Sequence, residues 1–211
     1  PINPEPVVAN QTSTICSDES SAFTLPAGSS IAATTFNITN IEDNGLSFSA
    51  GSPTTGTGFT NSEIADDAWT NLTAASIDVV YTITPVSAAG CEGDPFTVAL
   101  TVNPEPVVVN QFGDICSDVP HGLILGDNSI SGGPAIASYT ISNINSNGLT
   151  SSAGNPTTGT GFSNSAIADD AWTNRTGSSV DIIYTIIPVS TQGCEGNPFT
   201  VTIAVNPAPV I

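Results

Sequence analysis

Large apolar side chains recur with a strict period of two in four segments of this chain. In the first segment, Ile77, Val79, Tyr81 and Ile83 alternate with the residues that follow each of them. This period is typical of a β-strand with one buried face, because successive side chains of a strand point to opposite sides of the sheet. We therefore predict four strands that line a core, over residues 77–84, 96–103, 180–186 and 199–205.

The second half of the chain repeats the first motif by motif. Four motifs of the first half, NPEPVV, ICSD, IADDAWTN and GCEG, recur in the second half. They begin at residues 3, 15, 64 and 90 and again at residues 103, 115, 167 and 193, in that order. The offset grows from 100 to 103 between Cys116 and Tyr139, so we expect a three-residue insertion in a surface loop around residues 126–134. The repeat predicts two modules, residues 1–103 and residues 104–211.

The remaining sequence of each module favours short strands and turns. Residues 36–39 and 139–142 are predicted to be earlier strands, and the Gly-, Ser- and Thr-rich stretch 44–61 to hold turns and an edge strand. Residues 64–69 have room for a single helical turn at most. Several short strands with turns between them, in about 100 residues, predict an all-β fold of two tandem immunoglobulin-like antiparallel β-sandwich domains.

Each module contains two cysteines, Cys16 and Cys91 in the first and Cys116 and Cys194 in the second. Four cysteines allow three pairings, and the repeat makes pairing within each module the simplest. We therefore predict the disulfides Cys16–Cys91 and Cys116–Cys194, each closing a loop of about 75 residues that contributes roughly 4 kcal/mol. An even cysteine count without CxxC spacing predicts an oxidising, extracellular location and argues against zinc.

The charge balance is strongly acidic, with 19 acidic residues, one basic residue (Arg175) and a formal net charge of −18. Nucleic-acid binding depends on Lys and Arg that neutralise phosphates, so we expect binding neither to nucleic acid nor to an anionic membrane surface. No apolar stretch is long enough to insert into a membrane as a helix. Two interpretations of the acidity are solubility with repulsion between crowded copies, and binding of divalent cations.

Few residues are suited to catalysis, and we predict no enzyme and no required cofactor. His121 is the only histidine, and the first module has Ser21 in its place. Two adjacent pairs of aspartates are weak candidates for calcium, which prefers carboxylate, amide and carbonyl oxygens. The other interpretation of these aspartates is that they cap a short turn. The candidate pairs are Asp66 and Asp67 in the first module and Asp169 and Asp170 in the second.

Trp69 and Trp172 allow two interpretations. Either the rings pack in the core or they form stacking platforms for sugars, and we favour the core. We expect the alternating strand residues to be buried with them, namely Val79, Tyr81, Ile83, Phe96, Val98, Leu100, Val201 and Ile203. Two N-x-[ST] sequons occupy equivalent positions, at Asn71 and Asn174, and are candidate glycosylation sites.

The repeated motifs resemble a known family. NPxPVV, ICS, VxYTIxPVS, GCxG and FTVxxxVNPxP together resemble the PKD-like repeats of Bacteroidota-type surface proteins, over nearly the whole length of both modules. The most specific part runs from Tyr81 through Cys91 to Pro104 and returns at residues 184–207. The resemblance implies β-sandwich modules of long secreted adhesins or surface arrays, with a spacer, adhesive or filament-building role and no catalytic residues.

These observations lead to a functional hypothesis and an alternative. The hypothesis is a structural module of an extracellular adhesin, array or filament, whose partners are neighbouring copies and, as candidates, surface glycans. The alternative is a carbohydrate-binding or spacer module attached to a secreted hydrolase. The linker motif occurs at residues 2–8, 102–108 and 205–211, so we expect a polymer, either a continuing covalent array or an assembly by strand exchange, in which Pro207, Val210 and Ile211 contact another module. The third interpretation is that the sequence ends at an arbitrary boundary.

Overall fold

The computed structural model describes residues 3–208. The expected contact of Val210 and Ile211 with another module lies outside those residues. The chain divides into two compact units, Pro1–Pro104 and Glu105–Ile211, and each is described here by itself. Among the described residues all regular structure is β-strand, so the predicted all-β fold of two immunoglobulin-like sandwich domains is confirmed.

Each unit consists of a five-stranded sheet and a two-stranded sheet. In the first unit the sheet orders are β1-β7-β6-β2-β4 and β3-β5, and in the second they are β11-β9-β13-β14-β8 and β10-β12. The first unit contains β1 (Gln11–Cys16), β2 (Ala33–Glu42), β3 (Ser47–Ala50), β4 (Gly56–Phe59), β5 (Ala68–Thr70), β6 (Ile77–Ser87) and β7 (Phe96–Asn103). The second contains β8 (Gln111–Cys116), β9 (Ile136–Asn145), β10 (Thr150–Ala153), β11 (Gly159–Phe162), β12 (Ala171–Thr173), β13 (Val180–Ser190) and β14 (Phe199–Asn206).

The strands with period-two patterns form the centre of each large sheet. β6 and β7 pair antiparallel from Ile77↔Val102 to Ile83↔Phe96, and β13 and β14 pair in the same way. The alternating residues predicted to be buried, from Val79 to Ile203, are each at most 1% exposed, and Trp69 and Trp172 are 3% and 5% exposed. The predicted core is therefore confirmed. Removal of each such large side chain from water stabilises the fold by about 1.5–3 kcal/mol.

The first strand of each unit runs parallel to the last one. In the first unit Gln11 pairs with Val98 and Cys16 with Asn103, and Asn10 Oδ1 accepts a hydrogen bond from the Thr97 N–H at 2.9 Å. The chain therefore enters a unit beside the start of the last strand and leaves it where that strand ends. We call these two places the N-terminal pole and the C-terminal pole of the unit. The second unit has the same register between β8 and β14.

The three-residue insertion of the second unit lies in the connection between β8 and β9, as predicted. Asn128 organises this loop: its Nδ2 donates a hydrogen bond to the Pro134 carbonyl (2.9 Å), and its Oδ1 accepts one from the Ile130 N–H (3.0 Å). The corresponding segment of the first unit connects β1 to β2. The extra residues thus lengthen a connection and leave the sheet order unchanged.

Candidate functional site

The two aspartates of the first candidate metal pair lie in different environments. Asp66 is exposed, whereas Asp67 is 2% exposed. The Tyr81 hydroxyl donates a hydrogen bond to Asp67 Oδ2 (2.7 Å) and accepts one from Trp69 Nε1 (3.2 Å). Trp69, Tyr81 and Asp67 therefore form one buried hydrogen-bonded chain, which we call the Trp–Tyr–Asp chain. Asp67 anchors the core with its side chain, and its neighbour faces solvent.

The second unit contains the same chain. Trp172 Nε1 donates to the Tyr184 hydroxyl (3.2 Å), which donates to Asp170 Oδ2 (2.8 Å). Burial raises the pKa of Asp170 to about 6, against the lowering effect of the Tyr184 hydrogen bond, and burial also raises the pKa of Asp67. Among the described residues Asp170 Oδ1 has no hydrogen-bond partner. A buried carboxyl in this setting favours its neutral form, which is the opposite of what a cation site requires.

The predicted calcium site therefore lacks a converging set of ligands in the described part of the chain. Within residues 3–208, no group of three or more His, Cys, Asp or Glu side chains is arranged to hold a metal ion. Glu63 and Asp66 line a groove of about 550 Å³ together with serine and threonine side chains. Calcium at Asp66, Asp67, Asp169 and Asp170 stays a prediction, and a chelation measurement tests it.

The two candidate glycosylation sites have a structural role. Asn71 is fully buried, and its Nδ2 donates to the carbonyls of Ala75 (2.9 Å) and Val102 (2.8 Å). Its Oδ1 accepts hydrogen bonds from the backbone N–H and the hydroxyl of Thr73, so the threonine of the sequon completes the turn. Asn174 is buried in the same way. Both amide hydrogens are used inside the fold, which argues against the predicted attachment of glycans at either asparagine.

His121 takes part in packing. Its ring lies edge-on to Tyr184 with 6.1 Å between centroids, and its Nδ1 accepts a hydrogen bond from the Leu123 N–H (3.1 Å). Burial lowers the pKa of His121, and the charge of Asp169 opposes this effect only in part. Its backbone N–H donates to the Asp170 carbonyl (3.2 Å), as that of Ser21 in the first unit donates to the Asp67 carbonyl (2.9 Å). The position serves the same structural contact whichever residue occupies it.

The cysteines lie at the two poles of each unit, so the predicted pairs Cys16–Cys91 and Cys116–Cys194 are wrong. Cys16 faces Asn103 at the C-terminal pole, whereas Cys91 lies in the turn before Phe96 at the N-terminal pole. The seven residue steps from Phe96 to Asn103 along β7 span about 23 Å, and a disulfide requires Cα atoms within about 7 Å. The register of the second unit separates its cysteines in the same way.

The state of the cysteines agrees with this geometry. Cys16 and Cys194 are disulfide-bonded, whereas Cys91 and Cys116 carry free thiols. Cys91 is half-buried and Cys116 is exposed. The four cysteines thus differ from the prediction in two respects: both units have one bonded and one free cysteine, and the bonded cysteine lies at the C-terminal pole of the first unit and at the N-terminal pole of the second.

Two features of these sites were not predicted from the sequence. Tyr81 and Tyr184 were not identified as the partners of the buried aspartates, although the spacing between aspartate, tryptophan and tyrosine is the same in both modules. The contact beside the C-terminal pole, where the Ser17 hydroxyl accepts a hydrogen bond from the Asn71 N–H at 2.9 Å, was also not predicted. The repeated ICS and NxT motifs were the available signal for that contact.

Comparisons with known proteins identify a family and a set of similar structures. The sequence model of a family described as "PKD-like domain" matches residues 13–106 and 141–209, together well over half of the chain. The comparison with curated proteins gave no match. Among solved structures, human Protocadherin-24 EC1-2 is 14% identical, covers 98% of this chain and 100% of its own, and gives a TM-score of 0.30. The fibronectin(III)-like modules of Clostridium thermocellum CbhA are 9% identical, with coverages of 95% and 92% and a TM-score of 0.28. Similarities at this level carry no information about function.

Proposed function

Because this chain belongs to the PKD-like domain family, we propose that it is a structural repeat module of an extracellular bacterial adhesin, surface array or filament. Its partners are neighbouring copies of the same module. The disulfide-bonded state of Cys16 and Cys194 supports an oxidising location outside the cell. Among the described residues no helix is long and apolar enough to cross a membrane.

The observation that carries this proposal is the position of the two poles. The parallel pairing of β1 with β7 makes the chain enter a module beside Thr97 and leave it at Asn103. A module with its two chain ends at opposite poles can be joined in series without a strand having to double back across the sheet. Pro104 and Pro106 in the repeated joint fix φ and favour extended backbone, which stiffens the connection.

The chemistry of the buried side chains also supports a structural role. The tryptophans, the buried aspartates and the sequon asparagines are all engaged in hydrogen bonds within their own module. The rings of Trp69 and Trp172 are buried, so they offer no platform for the carbohydrate-binding alternative. The net charge of −18 keeps crowded copies soluble through mutual repulsion.

Small-angle scattering and electron microscopy of the native material test the proposal. We expect extended particles in which each module adds about 35–45 Å, the length of a strand of about ten residues plus its turns. A glycan array, with the same protein after heat denaturation as the control, tests the alternative, and we expect no saturable sugar binding. Compact native particles would refute the structural role, and saturable binding to one class of glycan would favour the carbohydrate-binding module.

A further inference from the structure

The free thiols of Cys91 and Cys116 each lie at one pole of their own unit. Cys116 ends β8 opposite Asn206 at the C-terminal pole of the second unit, and its side chain is exposed. Cys91 lies in the β6–β7 turn at the N-terminal pole of the first unit and is half-buried. Neither can reach the other cysteine of its own unit, because the length of the sheet separates them.

The counterparts of both free cysteines in the repeat are bonded. Cys16 occupies the position of Cys116 at the end of the first strand, and Cys194 occupies the position of Cys91 in the hairpin turn. Both counterparts are disulfide-bonded, and Cys194 is fully buried. A cysteine at each pole is thus a bonding position in at least one copy of the module. This is independent evidence that the free thiols are potential disulfide positions.

The backbone of the turn that carries the free thiol of Cys91 has the same hydrogen bonds as the turn that carries Cys194. In the turn, the Cys91 N–H donates to Ser87 Oγ (3.1 Å), and the Ser87 N–H donates to the Cys91 carbonyl (2.9 Å). The same two bonds join Cys194 and Ser190, at 3.1 Å and 2.8 Å. The turn that carries the free thiol therefore already has the backbone hydrogen bonds of the disulfide-bonded turn, and this preorganisation lowers the cost of bonding.

The backbone at the strand end also matches. The N–H of Ser117, next to Cys116, donates to the Asn206 carbonyl at 2.9 Å. The N–H of Ser17, next to Cys16, donates to the Asn103 carbonyl at the same distance. Both strand-end cysteines are thus held at the C-terminal pole by the parallel pairing of the first and last strands. In a series of modules, the peptide chain joins this pole of one copy to the N-terminal pole of the next.

We propose that Cys116 and Cys91 are the sites at which a following and a preceding copy of this chain are cross-linked, by a disulfide between the strand-end Cys116 of one copy and the turn Cys91 of the next. Oxidation occurs by exchange with a small disulfide RSSR. The thiolate of one cysteine attacks RSSR and releases one RSH after proton transfer. The thiolate of the second then displaces the remaining RS group as RSH and forms the protein disulfide. Two protein thiols are oxidised, and one RSSR is reduced to two RSH.

This inference deepens the proposed function and rests on it for the series of modules and the oxidising location. The two fail in different measurements. A compact native particle in scattering would refute the array and would leave the selectivity of thiol pairing unaffected. A loss of that selectivity would refute the cross-link and would leave an extended array intact.

The test uses two variants that each keep one free thiol, Cys91→Ser and Cys116→Ser. Each is mixed with oxidised glutathione, alone and in combination, with one variant labelled with a heavy isotope. We expect the mixture to form disulfide-linked dimers at least about tenfold faster than either variant alone, because only the mixture contains both bonding positions. Peptide mapping should find Cys116 of one chain bonded to Cys91 of the other. The unsubstituted chain should give a ladder of oligomers that dithiothreitol reduces to monomer.

The double variant C91S/C116S is the control and should stay monomeric under the same conditions. Thermal melting of both single variants before mixing checks that the serine replacements leave the fold intact. Peptide mapping of Cys16 and Cys194 checks that their disulfide-bonded state survives the exchange. The proposal is overturned if either single variant dimerises as fast as the mixture, or if the mixture yields only glutathione adducts.

Discussion

Replacement of the buried aspartates by asparagine should remove a pH-dependent loss of stability from both modules. Burial raises the pKa of Asp170 from its ordinary value of 3.8 to about 6, and it raises the pKa of Asp67 in the same direction. A raised pKa means that the folded state holds the proton more tightly than the unfolded state. The stability that this proton provides is therefore complete below about pH 4 and is lost as the pH rises through about 6.

The size of the effect follows from the shift of Asp170. A rise from 3.8 to about 6 corresponds to roughly 3 kcal/mol at about 1.36 kcal/mol per pKa unit. Relaxation of the fold around the ionised carboxylate reduces this, so we expect a loss of about 1–2 kcal/mol in wild type between pH 4 and pH 8. Asparagine has nearly the same shape, and its Oδ1 can accept the Tyr184 hydrogen bond. The variant D67N/D170N should therefore be about 1–2 kcal/mol more stable than wild type at pH 8 and no more stable at pH 4.

Urea unfolding followed by circular dichroism at pH 4 and pH 8 measures this difference. The matched control is D66N/D169N, which removes the same number of charges at the adjacent exposed positions. At pH 8 both variants reduce the magnitude of the negative net charge equally, so relief of general repulsion changes them alike there. We expect the control to change stability by less than about 0.5 kcal/mol at either pH. The reasoning is wrong if the control gains as much at pH 8 as D67N/D170N, or if the gain of D67N/D170N is the same at both pH values.

Further predictions concern the fold and the candidate sites. Asn71→Ala should cost about 2–4 kcal/mol in urea unfolding, because it removes the donor to the buried Val102 carbonyl and the acceptor of two hydrogen bonds from Thr73. Gly51→Ala should destabilise by about 1–3 kcal/mol, since φ is +75° there and the added Cβ would clash with Asp67. Gly45→Ala, with φ of +89° and open space around the Cβ, is its control and should cost less. Acrylamide should quench the fluorescence of Trp69 and of its counterpart only weakly, and strong quenching would contradict their burial. Excess EDTA should shift the melting temperature by less than about 2 °C, whereas a shift above about 10 °C would establish a structural metal.

Local patterns in the sequence were sufficient to predict the central strands and the core. The alternation in 77–84 reflects one face of β6, and the structure buries Val79, Tyr81 and Ile83 completely. Such a pattern is readable because burial acts on each side chain of a strand separately, with a period fixed by backbone geometry. The repeat supplied the rest, since one fold had to satisfy both halves of the chain.

The roles of the polar residues were harder to predict, because they depend on contacts between distant strands. Asp66 and Asp67 look alike in sequence, yet only Asp67 meets the hydroxyl of Tyr81, fourteen residues away. Asn71 carries a sequon, but the carbonyl that its amide meets belongs to Val102 on another strand. The sequence alone suggested a calcium site at the aspartates and a glycosylation site at the asparagine. Burial turns Asp67 and Asn71 into structural hydrogen-bond partners, and their burial depends on the packing of distant strands.

The cysteine prediction failed because the direction of one strand is not visible in the sequence. Had β1 paired antiparallel with β7, Cys16 would lie near the start of β7, at the pole that carries Cys91. The parallel register Cys16↔Asn103 places it at the opposite pole instead. The same strand direction has two consequences: it forbids a disulfide within a module, and it separates the two chain ends. A fold that puts its chain ends at opposite poles and one cysteine at each pole is suited to bonding between successive copies, which is why the mispredicted pairs point to a cross-link along the proposed array.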